Sequence, residues 1–210
     1  MLVISLDGNI GAGKSTLLEA IGKALPEVEV VVEPVGEWMT LKNEEGKSLL
    51  ELFYEDKRRW AYTFQNCAIL TRLRSLKAAM ATTKKKIIIT ERSVLTDRYV
   101  FADMLRRSGD ISSLEWSLYM NWYDTFAADL PIGGIIYLTT GVGTSSTRIA
   151  RRGREGEDGI SRAYLADLEA QHQKWLAASH VPVLRLSTEP SISLADNLVA
   201  IRDFLYRGVH

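Results

Sequence analysis

The chain has 210 residues, with 26 basic and 26 acidic side chains and a formal net charge of zero. That length favours one domain, 1–210, able to bury a sizeable core without a metal or disulfide staple. Zero net charge argues against a nucleic-acid polymer as the main partner, which would usually need a basic face, but is compatible with a small anionic ligand. Cys67 is alone, so an intramolecular disulfide is excluded, and His172, His180 and His210 form no HExxH-type zinc spacing. No apolar run approaches the roughly 18 residues a membrane span needs, and the first residues lack the basic start and long apolar stretch of a signal peptide. The expectation is a cytoplasmic protein with no membrane partner.

Short apolar runs at 2–6, 28–32, 87–90, 135–138 and 181–186 read as strands, and their unbroken β-branched character suits burial on both faces. Between them lie segments of helical period at about 14–25, 47–54, 58–81, 94–107, 112–128, 144–152, 160–178 and 191–206. The alternation predicts an α/β fold with a five-stranded parallel sheet flanked by helices.

After the first run comes Gly8-Asn9-Ile10-Gly11-Ala12-Gly13-Lys14-Ser15, followed by Thr16, a match to GxxxxGKS/T between a strand and a helix. Glycines let the backbone wrap tightly and aim successive amides at phosphate oxygens, and the helix N-terminus adds its positive end. Lys14 can reach the β- and γ-phosphates of ATP, and the Ser15 hydroxyl can ligate Mg2+. Such a loop does not say what accepts the phosphoryl group. The segment 33–38, EPVGEW, directly follows the second run and so lies at the carboxyl edge of the sheet, where Glu33 can accept a proton from an attacking hydroxyl. On the helix at 58–81, Phe64, Gln65, Ala68 and Arg72 recur three and four apart, and an amide and a guanidinium on an apolar face suit a nucleobase edge.

Thr90-Glu91-Arg92-Ser93 closes the third run; an acid there commonly holds Mg2+, and Arg92 could pair with Glu33 or contact the acceptor oxygen. Asp97 and Phe101, four apart on the next helix, offer an orienting carboxylate and an aromatic plane. Further on, Arg148, Arg151, Arg152 and Arg154 fall within seven residues, a density that suits a mobile lid, about 148–159, over a triphosphate.

Taken in this order, GNIGAGKST, EPVGEW, LLELFYED, ERS, RRGRE and the YL…H..WL stretch resemble the deoxyribonucleoside kinase family of deoxycytidine, deoxyguanosine and multisubstrate insect-type enzymes, from about 1 to 175. The resemblance implies a P-loop kinase fold with an arginine-rich lid, which transfers the γ-phosphoryl of ATP to the 5′-hydroxyl of a deoxyribonucleoside. Glu33 would be the general base, with Arg92 beside it; Glu91 and Ser15 would place Mg2+. Tyr54 and Glu157 would bind the 3′-hydroxyl, Gln65 the base edge, and Trp38 and Phe101 the base faces. Arg148, Arg152 and Arg154 would neutralise the transferring phosphoryl. Ala68, Arg72 and Asp97 resemble the deoxycytidine and deoxypurine branch, with thymidine a poor substrate. Close relatives carry two consecutive acids after the lid arginines, whereas this chain has Gly156 before Glu157, so a one-residue slip would hand the sugar contact to Glu155. The N-terminal extension of nuclear or mitochondrial relatives is not matched, and homodimers paired through helices are usual, with the segment 116–122 a candidate face.

Two other readings compete. Asp97-Arg98-Tyr99 imitates the DRY motif of thymidylate-type nucleoside monophosphate kinases, but follows a complete ERS motif inside a helix. A P-loop nucleotide switch would need an NKxD motif, and the chain has none.

Overall fold

The computed structural model describes residues 1–208; His210, the last of the three histidines, lies outside them. Five strands, β1 (Leu2–Gly8), β2 (Val28–Val31), β3 (Ile87–Glu91), β4 (Ile132–Thr139) and β5 (Val183–Ser187), form one sheet of order β2-β3-β1-β4-β5. Every neighbouring pair is parallel. The expected α/β architecture is therefore present, with each strand bound shifted by three residues or fewer.

Side chains of the central strands alternate between two faces, as the period of two requires. Ile4, Leu6, Ile87, Ile89, Ile136 and Leu138 pack with Leu17, Leu18 and Ile21 of α1 (Lys14–Ala24) and with Ile201 of α10 (Leu194–Asp203). On the other face, Ile135 and Tyr137 meet Leu168 and Trp175 of α9 (Arg162–Ala177), while Val3 and Ile88 meet Leu76 of α4 (Lys57–Thr82). Both faces are covered, so the strands read as continuous apolar runs.

Two further helices stand beside α4: α3 (Leu49–Glu55), whose Ser48 and Glu51 form a capping box, and α7 (Ser113–Phe126), capped in the same way by Ser112 and Glu115. A short helix, α2 (Val35–Thr40), occupies the segment after β2 where no helical period is legible, since six residues are under two turns. The helix expected at 94–107 is interrupted: α5 (Val94–Thr96) leads into a π-helical turn (Asp97–Ala102) and then α6 (Asp103–Arg107). The expected 191–206 helix likewise starts later, at Leu194, and ends in a π turn over Phe204–Gly208.

The lid segment is α8 (Val142–Arg152), closed by Gly153 in the left-handed conformation and followed by a 3₁₀ turn at Glu157–Gly159. Among the described residues no helix is long and apolar enough to cross a membrane.

Candidate active site

A cleft of about 810 Å³ runs along the carboxyl edge of the sheet, from the phosphate loop to a pocket between α2, α3, α4 and the π turn. Lys14, Arg72, Arg92, Arg148, Arg151, Arg152 and Arg154 line it against Glu33, Glu91, Asp97, Glu157 and Glu189. Basic groups outnumber acids there, so the site is polarised although the chain as a whole is neutral.

The phosphate loop leaves β1 at Gly8, and α1 begins at Lys14 behind a left-handed Gly13. At Gly11 (φ 76°) a Cβ would come within 2.6 Å of the Ser145 carbonyl of α8, so only glycine lets the lid helix lie against the loop. Asn9 is fully buried and donates to the Leu165 carbonyl at 2.8 Å, tying the loop to α9. Lys14 Nζ donates to the Gly8 and Asn9 carbonyls at 3.2 and 2.8 Å. Burial, with Arg92 adding repulsion, lowers its pKa to about 7. Ser15 Oγ donates to both oxygens of Glu91, at 3.0 and 3.2 Å, which brings the two expected metal ligands together. Beneath them Asp7, missed in the sequence, is fully buried and accepts from Ser5 Oγ at 2.5 Å and from Thr96 Oγ1. Burial raises its carboxyl above the usual range against those hydrogen bonds.

At the centre of the cleft Glu33 meets two guanidinium groups. Arg92 Nη1 donates to its oxygens at 2.9 and 2.8 Å, and Arg72 Nη2 donates to Oε1 at 2.5 Å. Arg72 Nη1 in turn donates to Asp97 Oδ1. The four side chains are all about nine-tenths buried and balance in charge. Burial works against the Glu33 charge, but Arg92, Arg72 and Lys14 outweigh it and hold the carboxyl at about 2. Arg92 is the one non-glycine residue of positive φ among the described residues, at 58°. Its N–H donates to Leu6 O at 2.9 Å and its Nη2 to Gly8 O at 3.3 Å, so contacts to β1 hold the strained backbone at the end of β3. Nothing in the sequence signals that conformation.

The pocket beyond has aromatic walls. Phe64 stacks on Phe53 at 4.5 Å and meets Trp38 edge-on at 5.3 Å, while Trp38 Nε1 donates to Thr71 Oγ1 at 3.0 Å. Arg92 lies over the Phe101 ring at 5.1 Å. Gln65, Ala68 and Arg72 line the same space, as their shared helix face required. Asp97 and Phe101 both reach it even though the turn between them is π rather than α, a distortion that recurs at functional sites. Asp97 therefore sits in a helical turn, not at a strand end, which removes the DRY reading. Two buried acceptors, Asp97 Oδ2 and Gln65 Oε1, have no partner.

At the lid, Arg152 donates to Glu157 Oε2 at 2.6 Å and Arg154 to Oε1 at 3.0 Å. The guanidinium groups expected on the phosphoryl group are thus paired with the carboxylate expected on the sugar. Glu157 is 4 % exposed and lines the cleft, whereas Glu155 is exposed to solvent. Gly156 (φ 84°) explains the departure from two acids: a Cβ there would lie 2.9 Å from Glu51 Cγ. Arg148 reaches Thr188 O at 2.6 Å and Ala12 O at 3.4 Å, beside the phosphate loop. Tyr54 lines the wall beside Glu157, with its phenol held well above its ordinary pKa by burial. Tyr164 completes that wall with a buried, unpartnered Oη. The YL…H..WL stretch contained it, but its place in the first turn of α9 gave no sign that it faced a ligand.

The chain matches the deoxynucleoside kinase family over residues 4–202. It is 38% identical over 193 residues to deoxycytidine kinase 2 of Gallus gallus, covering 82% of this chain and 73% of the relative. Against deoxycytidine kinase of Homo sapiens the identity is 37% over 193 residues, with 82% and 74% covered. Mitochondrial deoxyguanosine kinase of Xenopus laevis is 30% identical over 214 residues, with 89% and 81% covered. A phosphate loop and an aromatic pocket joined in one cleft by an ion-paired carboxylate thus accompany the match to the family, and the chain belongs to the deoxynucleoside kinases, which phosphorylate deoxynucleosides with ATP.

Proposed function

We propose that the cleft binds ATP and a deoxyribonucleoside end to end, with Glu33 as general base, and that deoxycytidine and the deoxypurine nucleosides are accepted in preference to thymidine. The observation that carries this is the pair of unpartnered buried acceptors, Asp97 Oδ2 and Gln65 Oε1, in the pocket past Glu33. A buried acceptor without a donor costs about 1–3 kcal/mol, and the exocyclic amines of cytosine, adenine and guanine supply donors. Thymine has no such amine, and its single N3–H can serve only one of the two acceptors. Gln65 can turn its amide, but Asp97, held by Arg72, stays an acceptor. Trp38, Phe64 and Phe101 supply the apolar planes around the base, and Ala68 leaves room between them.

In the reaction the 5′-oxygen attacks the γ-phosphorus, its proton passes to Glu33, and the bond from phosphorus to the β,γ-bridging oxygen breaks, releasing ADP. Glu33 is ionised across the neutral range, so it is ready to accept the proton, and Arg92 fixes both its oxygens and the attacking hydroxyl. Lys14 exchanges its two carbonyl partners for phosphate oxygens, which restores its full charge. Arg148, Arg152 and Arg154 close over the phosphoryl group, while Tyr54 and Glu157 hold the 3′-hydroxyl; positioning and charge stabilisation carry most of the acceleration. Mg2+ fits the donor set, since the touching Ser15 hydroxyl and Glu91 carboxylate are hard oxygen ligands, and that ion typically takes few protein ligands beside phosphates. When bound it neutralises charge on the β- and γ-phosphates.

The whole chain acts as one domain in this reading, and as a homodimer through α7. Leu114, Leu118, Trp122 and Phe126 recur every four residues on that helix and are all exposed, whereas Trp116 is buried on Tyr119. Of the two tryptophans on the expected face, one is core and one is free. Sedimentation of Trp122→Glu at micromolar concentration should give the monomer mass, and a dimer mass for that variant would remove α7 as the interface. A panel of four deoxynucleosides with ATP and magnesium tests the main reading: thymidine should give the lowest kcat/KM, and thymidine ranking first would overturn the pocket assignment.

A further inference from the structure

The donor end of the cleft contains a contact that phosphoryl transfer itself does not use. Helix α8 starts after Gly141, which has no side chain to satisfy the free amides of the first turn. Glu189, in the connection between β5 and α10, reaches across to do so. Its Oε1 accepts from the Gly141 N–H at 2.6 Å, and its Oε2 accepts from Thr144 Oγ1 at 2.7 Å. One turn further along α8, Arg148 Nη2 donates to the Thr188 carbonyl at 2.6 Å, and Thr188 Oγ1 donates to the Ala12 carbonyl of the phosphate loop at 2.7 Å. Thr188 and Glu189 therefore fasten the helix that carries the lid arginines to the phosphate loop and to the segment whose Pro190 and Ile192 line the cleft. The Gly141 amide and the Thr144 hydroxyl hold the Glu189 carboxyl below its ordinary range, at the positive end of the helix.

We infer that Glu189 is a positioning residue for the phosphate donor: its clasp on the start of α8 makes the seat of the donor base and the arginine-bearing lid move as one body. A nucleoside triphosphate seated against Pro190 and Ile192 then draws Arg148 and its neighbours onto the γ-phosphate, whereas a donor without a base engages the lid only through its phosphates. Both Glu189 oxygens are occupied by α8, so the carboxylate holds the helix instead of reading the base. This inference rests on the proposed binding of ATP at the phosphate-loop end of the cleft, and takes Pro190 and Ile192, which line the cleft beside Thr188, as the seat of its base.

Trypsin reports lid closure directly, because Arg151 and Arg152 are exposed. The test compares cleavage of the full chain with magnesium and saturating ATP, or with inorganic tripolyphosphate, in the absence of acceptor. In the unaltered enzyme ATP should protect the lid more than tripolyphosphate does. In Glu189→Ala the ATP protection should fall to the tripolyphosphate level, with KM for ATP raised about fivefold, the effect of losing one helix cap, and KM for the nucleoside unchanged. Glu189→Gln keeps an oxygen for Gly141 and an amide for Thr144, so it should restore protection. Equal ATP protection in Glu189→Ala and the unaltered enzyme would overturn the clasp while leaving the donor site intact. A changed preference among ATP, GTP and UTP with unchanged protection would also overturn it, making Glu189 a base reader. Absence of any protection by ATP in the unaltered enzyme would bring down the donor-site assignment itself, and the inference with it.

Discussion

The two ends of the cleft are held in opposite ways. At the acceptor end Glu33, Arg72, Arg92 and Asp97 form a buried, charge-balanced chain of ion pairs inside aromatic walls. At the donor end the groups are carried on a lid helix with exposed arginines, tied down by Glu157, Glu189 and backbone carbonyls. On the proposed assignment, the difference follows from the ligands. A neutral nucleoside brings no charge of its own, so its pocket must be organised in advance and must discriminate by a few buried hydrogen bonds. A triphosphate is a strong polyanion that can draw exposed arginines from their present partners and recharge Lys14 as it arrives. Buried ion pairs sit where the proposed reading needs selectivity, and exposed arginines where charge does the gathering.

The largest expected effect tests the junction between the two ends. Glu33→Gln should lower kcat on the order of 10²–10⁴-fold, the usual worth of a general base, while ATP and nucleoside still bind in calorimetric titrations. Loss of binding with turnover preserved would give Glu33 a structural task only.

The buried acceptor end should also answer to the balance of its charges. Arg72→Met leaves Asp97 buried without its partner, which costs about 3–5 kcal/mol of unfolding free energy, and removing both in Arg72→Met, Asp97→Ala should recover most of it. Denaturant unfolding of the two variants measures this, and the double variant should also shift preference toward thymidine. A smaller effect concerns pH. Because Glu33 is held at about 2, below its usual 4.5, its contribution to stability is complete above 4.5 and fades as the pH falls toward 2. The rate of the unaltered enzyme should likewise show no acid limb from Glu33 above about pH 4. Arg72→Met removes one of the groups that depress it, so the limb should rise in a pH–rate profile. An unmoved limb would mean that Arg92 and Lys14 set the carboxylate without Arg72.

Much of this was legible before any fold was known, because local chemistry demands it. The phosphate loop needs glycines, a lysine and a hydroxyl at fixed spacing between a strand and a helix, and strands buried on both faces must be apolar throughout. The helix face of Phe64, Gln65, Ala68 and Arg72 follows from the 3.6-residue period alone. What stayed hidden depended on elements distant in the chain meeting in space. The strained Arg92 exists because Leu6 and Gly8 hold it. Glu157 rather than Glu155 is buried where Arg152 and Arg154 pair with it. Tyr164 and Glu189 join the cleft only through the packing of α9 and α8 on the phosphate loop. Composition and period determine which residues can do the chemistry; long-range hydrogen bonds, invisible in any local window, decide which of them are pointed at one another.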